Sequence, residues 1–193
     1  MGLWIKICGL TTEQGVEAAV KAGADAVGFV FAPSKRQVTA QRAVELARKV
    51  PAHVMRIAVM LHPAQSLLDE VWNVFRPDAL QTDAEDLPRL KVPESLAVIP
   101  VLRAGRELPS ELPRRMMFEG AISGSGETAD WNAAARLATQ SQLILAGGLN
   151  ASNVRAAIAA VGPFGVDVST GVEREPGIKD AGKIQEFIRA ARL

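Results

Sequence analysis

Short apolar runs rich in β-branched residues alternate along the chain with longer Ala-rich segments whose apolar positions recur at helical spacing. The short runs predict strands at 4–8, 26–31, 57–61, 79–82, 96–102, 115–120, 143–147 and 165–169. The longer segments predict helices at 12–22, 40–50, 64–75, 129–138, 152–161 and 180–191. Regular alternation of this kind builds βα units around a parallel sheet. Eight strands at roughly 24-residue spacing predict a compact (βα)8 TIM barrel, below the typical length of about 250 residues. An open doubly wound sheet is the competing arrangement. The fourth and fifth helices are weak, because 83–91 is short and 106–112 is interrupted by Pro109.

Punctuation supports this segmentation. Thr11 or Thr12 caps the first helix and Gly23 ends it; Asn150 to Ser152 cap the helix at 152–161, and Gly162-Pro163 follow it. No linker or shift in composition divides the chain, so residues 1–193 are expected to form one domain.

Composition narrows the function. A hydrophobic content of 48% over 193 residues is enough for a sizeable core. Twenty-two basic and 21 acidic residues leave a net charge of +1, which gives no basis for binding nucleic acid or an anionic membrane. No apolar run approaches the roughly 20 residues that span a bilayer. The segment starting Met1-Gly2-Leu3-Trp4 lacks the apolar core of a secretion signal. One cysteine excludes an internal disulfide and suits a reducing, cytoplasmic compartment. With only His53, His62 and that thiol, no metal site is expected.

Chemistry concentrates where strands end. Gly147-Gly148-Leu149-Asn150 closes the seventh strand, and Ser169-Thr170-Gly171 closes the eighth. Glycine turns and helix N-termini expose amide groups that bind phosphate, and a (βα)8 barrel builds its phosphate site after its last two strands. A phosphorylated small molecule is therefore the expected substrate. Cys8 ends the first strand, where a barrel gathers its catalytic groups. It reads either as a small buried hydrophobe or as a base whose pKa is lowered toward neutrality by Lys6 on the same strand face.

Carboxylates within apolar strands must be paired, neutralised or functional. Asp167 reads as a partner for Lys6 across the barrel or as a direct participant. Glu119, near the end of the sixth strand, would hold a proton to donate if desolvated. Arg36, in Ser34-Lys35-Arg36 after the second strand, has the fork geometry for a substrate carboxylate. His62 has no evident partner in the sequence, and Asp130 is expected to cap the helix that begins near it. Gly124 to Ala129 formally fit a dinucleotide-binding pattern, but no acidic residue ends the next strand, so a loop over the site is the reading adopted.

Lys6-Ile7-Cys8-Gly9-Leu10, Gly28-Phe29-Val30-Phe31 with Ser34 and Arg36, Gly124-Ser125-Gly126 with Asp130-Trp131, Gly147-Gly148-Leu149-Asn150, and Asp167 through Glu173 occur in order over the whole chain. As an ordered set they closely resemble the phosphoribosylanthranilate isomerases of tryptophan biosynthesis. The resemblance implies an Amadori rearrangement of N-(5-phosphoribosyl)anthranilate to 1-(2-carboxyphenylamino)-1-deoxyribulose 5-phosphate by a monomeric or homodimeric barrel without cofactor or metal. It implies Cys8 as the base, Arg36 at the anthranilate carboxylate, and Gly147, Gly148, Ser169, Thr170 and Gly171 at the phosphate.

Two positions depart from that family's pattern. Glu119 stands where its acid is an aspartate, and the extra methylene moves the carboxyl by about 1.5 Å. A misplacement of that size can cost about 100-fold unless it is compensated, and Gly120 offers backbone freedom for this. Leu80-Gln81-Thr82-Asp83 stands where the family reads Gln-Leu-His-Gly, which makes Asp83 a second acid candidate. The competing functions are a related sugar-phosphate isomerase and a non-catalytic phosphosugar-binding barrel, since fold alone does not fix function.

Overall fold

The computed structural model describes residues 2–120 and 130–193. Eight parallel strands close into a barrel in chain order: β1 (Trp4–Cys8), β2 (Ala26–Val30), β3 (Met55–Val59), β4 (Ala79–Asp83), β5 (Ala97–Arg103), β6 (Arg115–Glu119), β7 (Gln142–Leu145) and β8 (Gly165–Val168). The open sheet is thereby excluded. Among the described residues six α-helices surround the barrel: α1 (Glu13–Ala22), α2 (Ala40–Ala47), α3 (Gln65–Phe75), α4 (Trp131–Ala138), α5 (Val154–Val161) and α6 (Ala181–Arg192). The two weak helices are absent as α-helices. A short 3₁₀ turn, Ala84–Arg89, follows β4, and an irregular segment follows β5.

The caps follow from local chemistry. Thr12 accepts from the Gly15 amide at 3.1 Å, and Gly23 ends α1 in the left-handed region at φ +91°. Asp130 accepts from the Asn132 and Ala133 amides at the start of α4. The expected cap of α5 is corrected by two residues. Asn150 instead accepts from Ser152 within a tight turn, and the helix starts at Val154 after Asn153, which makes no side-chain cap bond.

Alternation along each strand sorts two cores. Ala26, Ile57, Ala79, Ile99, Val101, Met117, Ile144 and Ala146 fill the barrel. Residues of opposite parity, such as Ile5, Ile7, Val27, Phe29, Leu80 and Phe118, pack outward against the helices. The inward parity runs on to the C-terminal strand ends, so Asp83, Arg103 and Glu119 share the inner face with Ala79, Val101 and Met117.

The β1–β8 seam closes the barrel, with Lys6 and Asp167 as direct neighbours across it. Their side chains meet at 2.7 Å, with Lys6 wholly buried. Of the two readings of Asp167, pairing with Lys6 is the one the fold adopts. Gly28 on β2 makes room, since a Cβ there would lie 3.0 Å from Lys6 Cε and 3.2 Å from Cys8 Sγ. After β8 a small hairpin, β9 (Glu173–Glu175) and β10 (Ile178–Lys179), lies against the loops after β1 and β2: Thr11 donates to the Gly177 carbonyl at 2.6 Å. Gly177, at φ +89°, approaches the Lys35 carbonyl too closely for any side chain.

Breaking a buried pair strands a charge, whereas replacing both partners with apolar groups does not. Asp167→Ala is expected to lose about 3–5 kcal/mol in urea denaturation, and Lys6→Met combined with Asp167→Leu to recover most of it. A loss below about 1 kcal/mol for the single variant would show that the seam does not depend on this pair.

Candidate active site

A cavity of about 190 Å³ opens at the C-terminal end of the barrel. Cys8, Arg36, Asp83, Arg103, Glu119, Gly147, Gly148, Asp167, Ser169 and Thr170 all line it. Almost every site residue expected from the sequence is thus brought to one place by the common rule that inward side chains at strand ends face the same mouth. The loop expectation over 123–128 lies outside the described residues.

Cys8 is buried beside Lys6. The expectation that Lys6 would bring the thiol toward neutrality is overturned. Burial pushes the Cys8 pKa up, and the attraction of Lys6 does not offset it. The physical reason lies one bond away: Asp167 already neutralises Lys6 and repels a thiolate. Lys6 stays firmly charged. Burial works against its ammonium, but Asp167 and Cys8 together raise its pKa above the ordinary value.

Arg36 is held on one edge. Its Nε and Nη2 donate to the two oxygens of Glu173 at 2.7 and 2.9 Å, and Nη1 stays outside that fork. Lys179 also donates to Glu173 at 2.9 Å and to the Ser169 carbonyl and hydroxyl at 3.0 and 3.1 Å. Burial opposes the Glu173 carboxylate, but Arg36 and Lys179 hold its pKa below the usual range. This network ties the segment after β8 to the arginine after β2. Sequence reasoning gave Glu173 no role and missed Lys179, because their hairpin folds back over β1 and β2 only in three dimensions.

Gly147 and Gly148 are consecutive left-handed glycines at φ +93° and +61°. Glycine adopts this backbone without strain and leaves it free of side chains, so a ligand can approach it closely. Gly171 packs directly against the Leu149 carbonyl, where a side chain has no space. The turns after β7 and β8 therefore meet as one surface.

On the opposite wall Glu119 ends β6 as the register neighbour of Arg103. Arg103 also escaped sequence reasoning, although an arginine closing the apolar strand Ala97 to Leu102 was its available signal. It donates to Asp83 through Nε at 2.8 Å and Nη2 at 2.6 Å. Its Nη1 lies 3.5 Å from Glu119 Oε2. Asp83 and Glu119 thus share one cation.

His62 is corrected as well. Asp86, distant in sequence, lies 2.8 Å from His62 Nδ1, accepts its backbone amide at 3.0 Å, and also accepts from Thr82 at 2.7 Å. These bonds stabilise a left-handed residue at φ +46° and fix the turn after β3.

Residues 5–190 match the family model described as N-(5'phosphoribosyl)anthranilate (PRA) isomerase. An N-(5'-phosphoribosyl)anthranilate isomerase from Streptococcus pneumoniae is 40% identical over 191 residues, spanning 97% of this chain and 95% of the relative. The crystal structure of phosphoribosyl anthranilate isomerase from Thermotoga maritima superposes with a TM-score of 0.85 at 33% identity, covering 98% of both chains. A crystal structure of phosphoribosyl anthranilate isomerase in complex with reduced 1-(o-carboxyphenylamino)-1-deoxyribulose 5-phosphate gives a TM-score of 0.81 at 32% identity, again over 98% of both chains.

With the thiol raised by burial, the ultraviolet absorbance of the Cys8 thiolate should appear only above the pH range of an ordinary thiol. Asp167→Asn should move its midpoint down by removing the repelling charge. A native midpoint near neutrality would refute the dominance of burial.

Proposed function

The chain belongs to the N-(5'-phosphoribosyl)anthranilate isomerase family, and from that premise we propose how its residues convert N-(5-phosphoribosyl)anthranilate to 1-(2-carboxyphenylamino)-1-deoxyribulose 5-phosphate in tryptophan biosynthesis. The observation that carries the assignment is that the chain's one thiol and a buried carboxyl, from strands β1 and β6, line the same cavity as the paired glycine turns.

The substrate phosphate sits against Gly147, Gly148 and the segment Ser169 to Gly171. Held there, the ribose is presented with its ring between Cys8 and Glu119. Arg36 binds the anthranilate carboxylate through the guanidinium edge that Glu173 does not occupy. Glu173 and Lys179 keep that arginine in place, which reduces the entropy lost when substrate binds.

Glu119 donates a proton to the furanose oxygen as the bond from that oxygen to C1′ breaks. The anilino nitrogen supplies the electron pair that forms the C1′–N double bond, giving a protonated Schiff base. Once the positive Schiff base has formed, the Cys8 thiol releases its proton to solvent at the open mouth and the thiolate removes the C2′ proton; the released pair forms the C1′–C2′ double bond, and the former imine pair returns to nitrogen. The enol amine that results becomes the ketone by proton transfer from the C2′ oxygen to C1′. Lys6 steadies the thiolate at short range, and the positive Schiff base formed in the first step adds to that attraction. A thiol that is raised in the resting protein is thereby drawn toward ionisation when its proton acceptor role begins. The conversion uses only side chains of the protein, and we place it in the cytosol, consistent with a single unpaired cysteine.

Anthranilate fluorescence during turnover of freshly made substrate tests these roles. Cys8→Ala and Glu119→Ala are each expected to lower kcat by about 10²–10⁴-fold. Glu119→Asp should retain more activity than Glu119→Gln, and equal native turnover by both would remove Glu119 from the chemistry. Arg36→Met is expected to raise KM roughly tenfold or more, as loss of a charged hydrogen bond worth about 1.5–3 kcal/mol implies. Native protein that binds substrate but does not exceed the spontaneous rate would instead mark a phosphosugar-binding barrel.

A further inference from the structure

Asp83, Arg103 and Glu119 form an arrangement that the two proton transfers do not by themselves explain. Arg103 ends β5 with its side chain buried, and Asp83 takes its Nε and Nη2 in two short bonds of 2.8 and 2.6 Å. The remaining nitrogen, Nη1, is buried and has no hydrogen-bond partner among the described residues. It lies 3.5 Å from Glu119 Oε2, beyond the usual length of a charged hydrogen bond. One cation is therefore shared unequally between two carboxylates, and Asp83 holds the larger share.

The unequal sharing matters because a general acid must begin protonated. A lone guanidinium this close would hold Glu119 ionised, since an opposite charge within about 4–6 Å lowers a carboxyl pKa by about 1–3 units. Asp83, clamped to the other edge, cancels most of that field. Burial disfavours the guanidinium, but its bonds and attraction to the carboxylates keep it charged and raise its pKa above the ordinary value. Among the described residues, the other charges around the cavity are engaged with partners of their own, Arg36 with Glu173 at 2.7 Å. Lys6 of β1 and Asp167 of β8 neutralise each other, Cys8 of β1 is raised toward its neutral form, and the inward residues of β7, Ile144 and Ala146, carry no charge. Glu85, which also attracts Arg103, is engaged by Arg106 at 2.6 Å.

We propose that Asp83 is a positioning residue that neutralises Arg103, so that Arg103 orients Glu119 without fixing it as a carboxylate, and Glu119 retains the proton it delivers to the ring oxygen. The proposal rests on the reading of Glu119 as the general acid. It also gives this chain a reason to carry an aspartate at the end of β4 together with the longer acid at the end of β6: the two are balanced across one arginine.

The test is the pH profile of kcat/KM, whose alkaline limb follows deprotonation of the acid in the free enzyme. Asp83→Asn keeps the shape but removes the carboxylate that holds two of the Arg103 nitrogens, leaving more of the cation's field on Glu119, so the limb should move to lower pH by about one unit or more. Arg103→Gln removes the cation and should move the limb the other way. The double variant should return close to the native profile. A uniform drop in kcat with an unmoved limb in either folded single variant would make the pair merely structural and overturn the proposal.

A second readout does not depend on any variant of the pair. Carbon NMR of isotope-labelled glutamate, with the Glu119 signal assigned by Glu119→Gln, should show the native carboxyl titrating within or above the ordinary glutamate range. Titration well below that range would show that Arg103 prevails, and would overturn the proposal even if neither variant folds. Glu119→Gln with native turnover would remove the acid assignment itself, which separates that failure from a failure of Asp83 to tune an acid that is otherwise essential.

Discussion

A buried ion pair across the closing seam of the barrel sets the terms for everything at its mouth. Lys6 and Asp167 face each other where β8 returns to β1 and meet at 2.7 Å, with the lysine wholly buried. Such a pair adds little net stability compared with an apolar substitute, but it is costly to break from one side. Its value is in placement. Lys6 fills the space beneath Cys8 that Gly28 leaves open, and Asp167 limits how much of the lysine charge the thiol can use. The proton affinity of the Cys8 thiol is therefore set first by its burial and then by charges on neighbouring strands.

The same logic recurs around the rim. Arg36 meets Glu173, Lys179 meets Glu173, and Arg103 meets Asp83 before it meets Glu119. Each of these cations is partly spent on a carboxylate of the protein, which holds its side chain in one geometry and moderates its field. A site assembled from unpaired charges would attract a phosphorylated substrate more strongly, yet it would ionise its own acid and lose orientation. Paired charges supply preorganisation in a region of low dielectric, where an unpaired group carries a large penalty. The glycines act alongside them: Gly147 and Gly148 provide backbone that other residues rarely adopt, and Gly171 lets the turns after β7 and β8 meet.

Much of this was legible in the sequence because it depends on local or periodic signals. Strand-to-helix alternation is a property of neighbouring residues, so the eight strands and six α-helices were predictable with end errors of a few residues, and Pro109 marked the place where a helix is missing. Period-two alternation together with position at a strand end was enough to put Cys8, Asp83, Glu119 and Asp167 at one mouth once the barrel closes. The glycine turns were visible for the same reason, since their conformation is dictated by the residue itself.

Only the tertiary structure decided which charge belongs to which partner. Asp86 lies against His62, Glu173 against Arg36, and Asp83 against Arg103, and in each case the partners are brought together by the barrel from distant parts of the chain. It also decided the sign of the Cys8 shift, because desolvation depends on complete burial and the lysine field depends on whether Asp167 has already taken it. The sequence determined the residue types, their spacing and hence the architecture and family. The energy of each ionisable group was left to the fold, since Coulomb interaction and desolvation depend on distance and surroundings in space and not on separation along the chain.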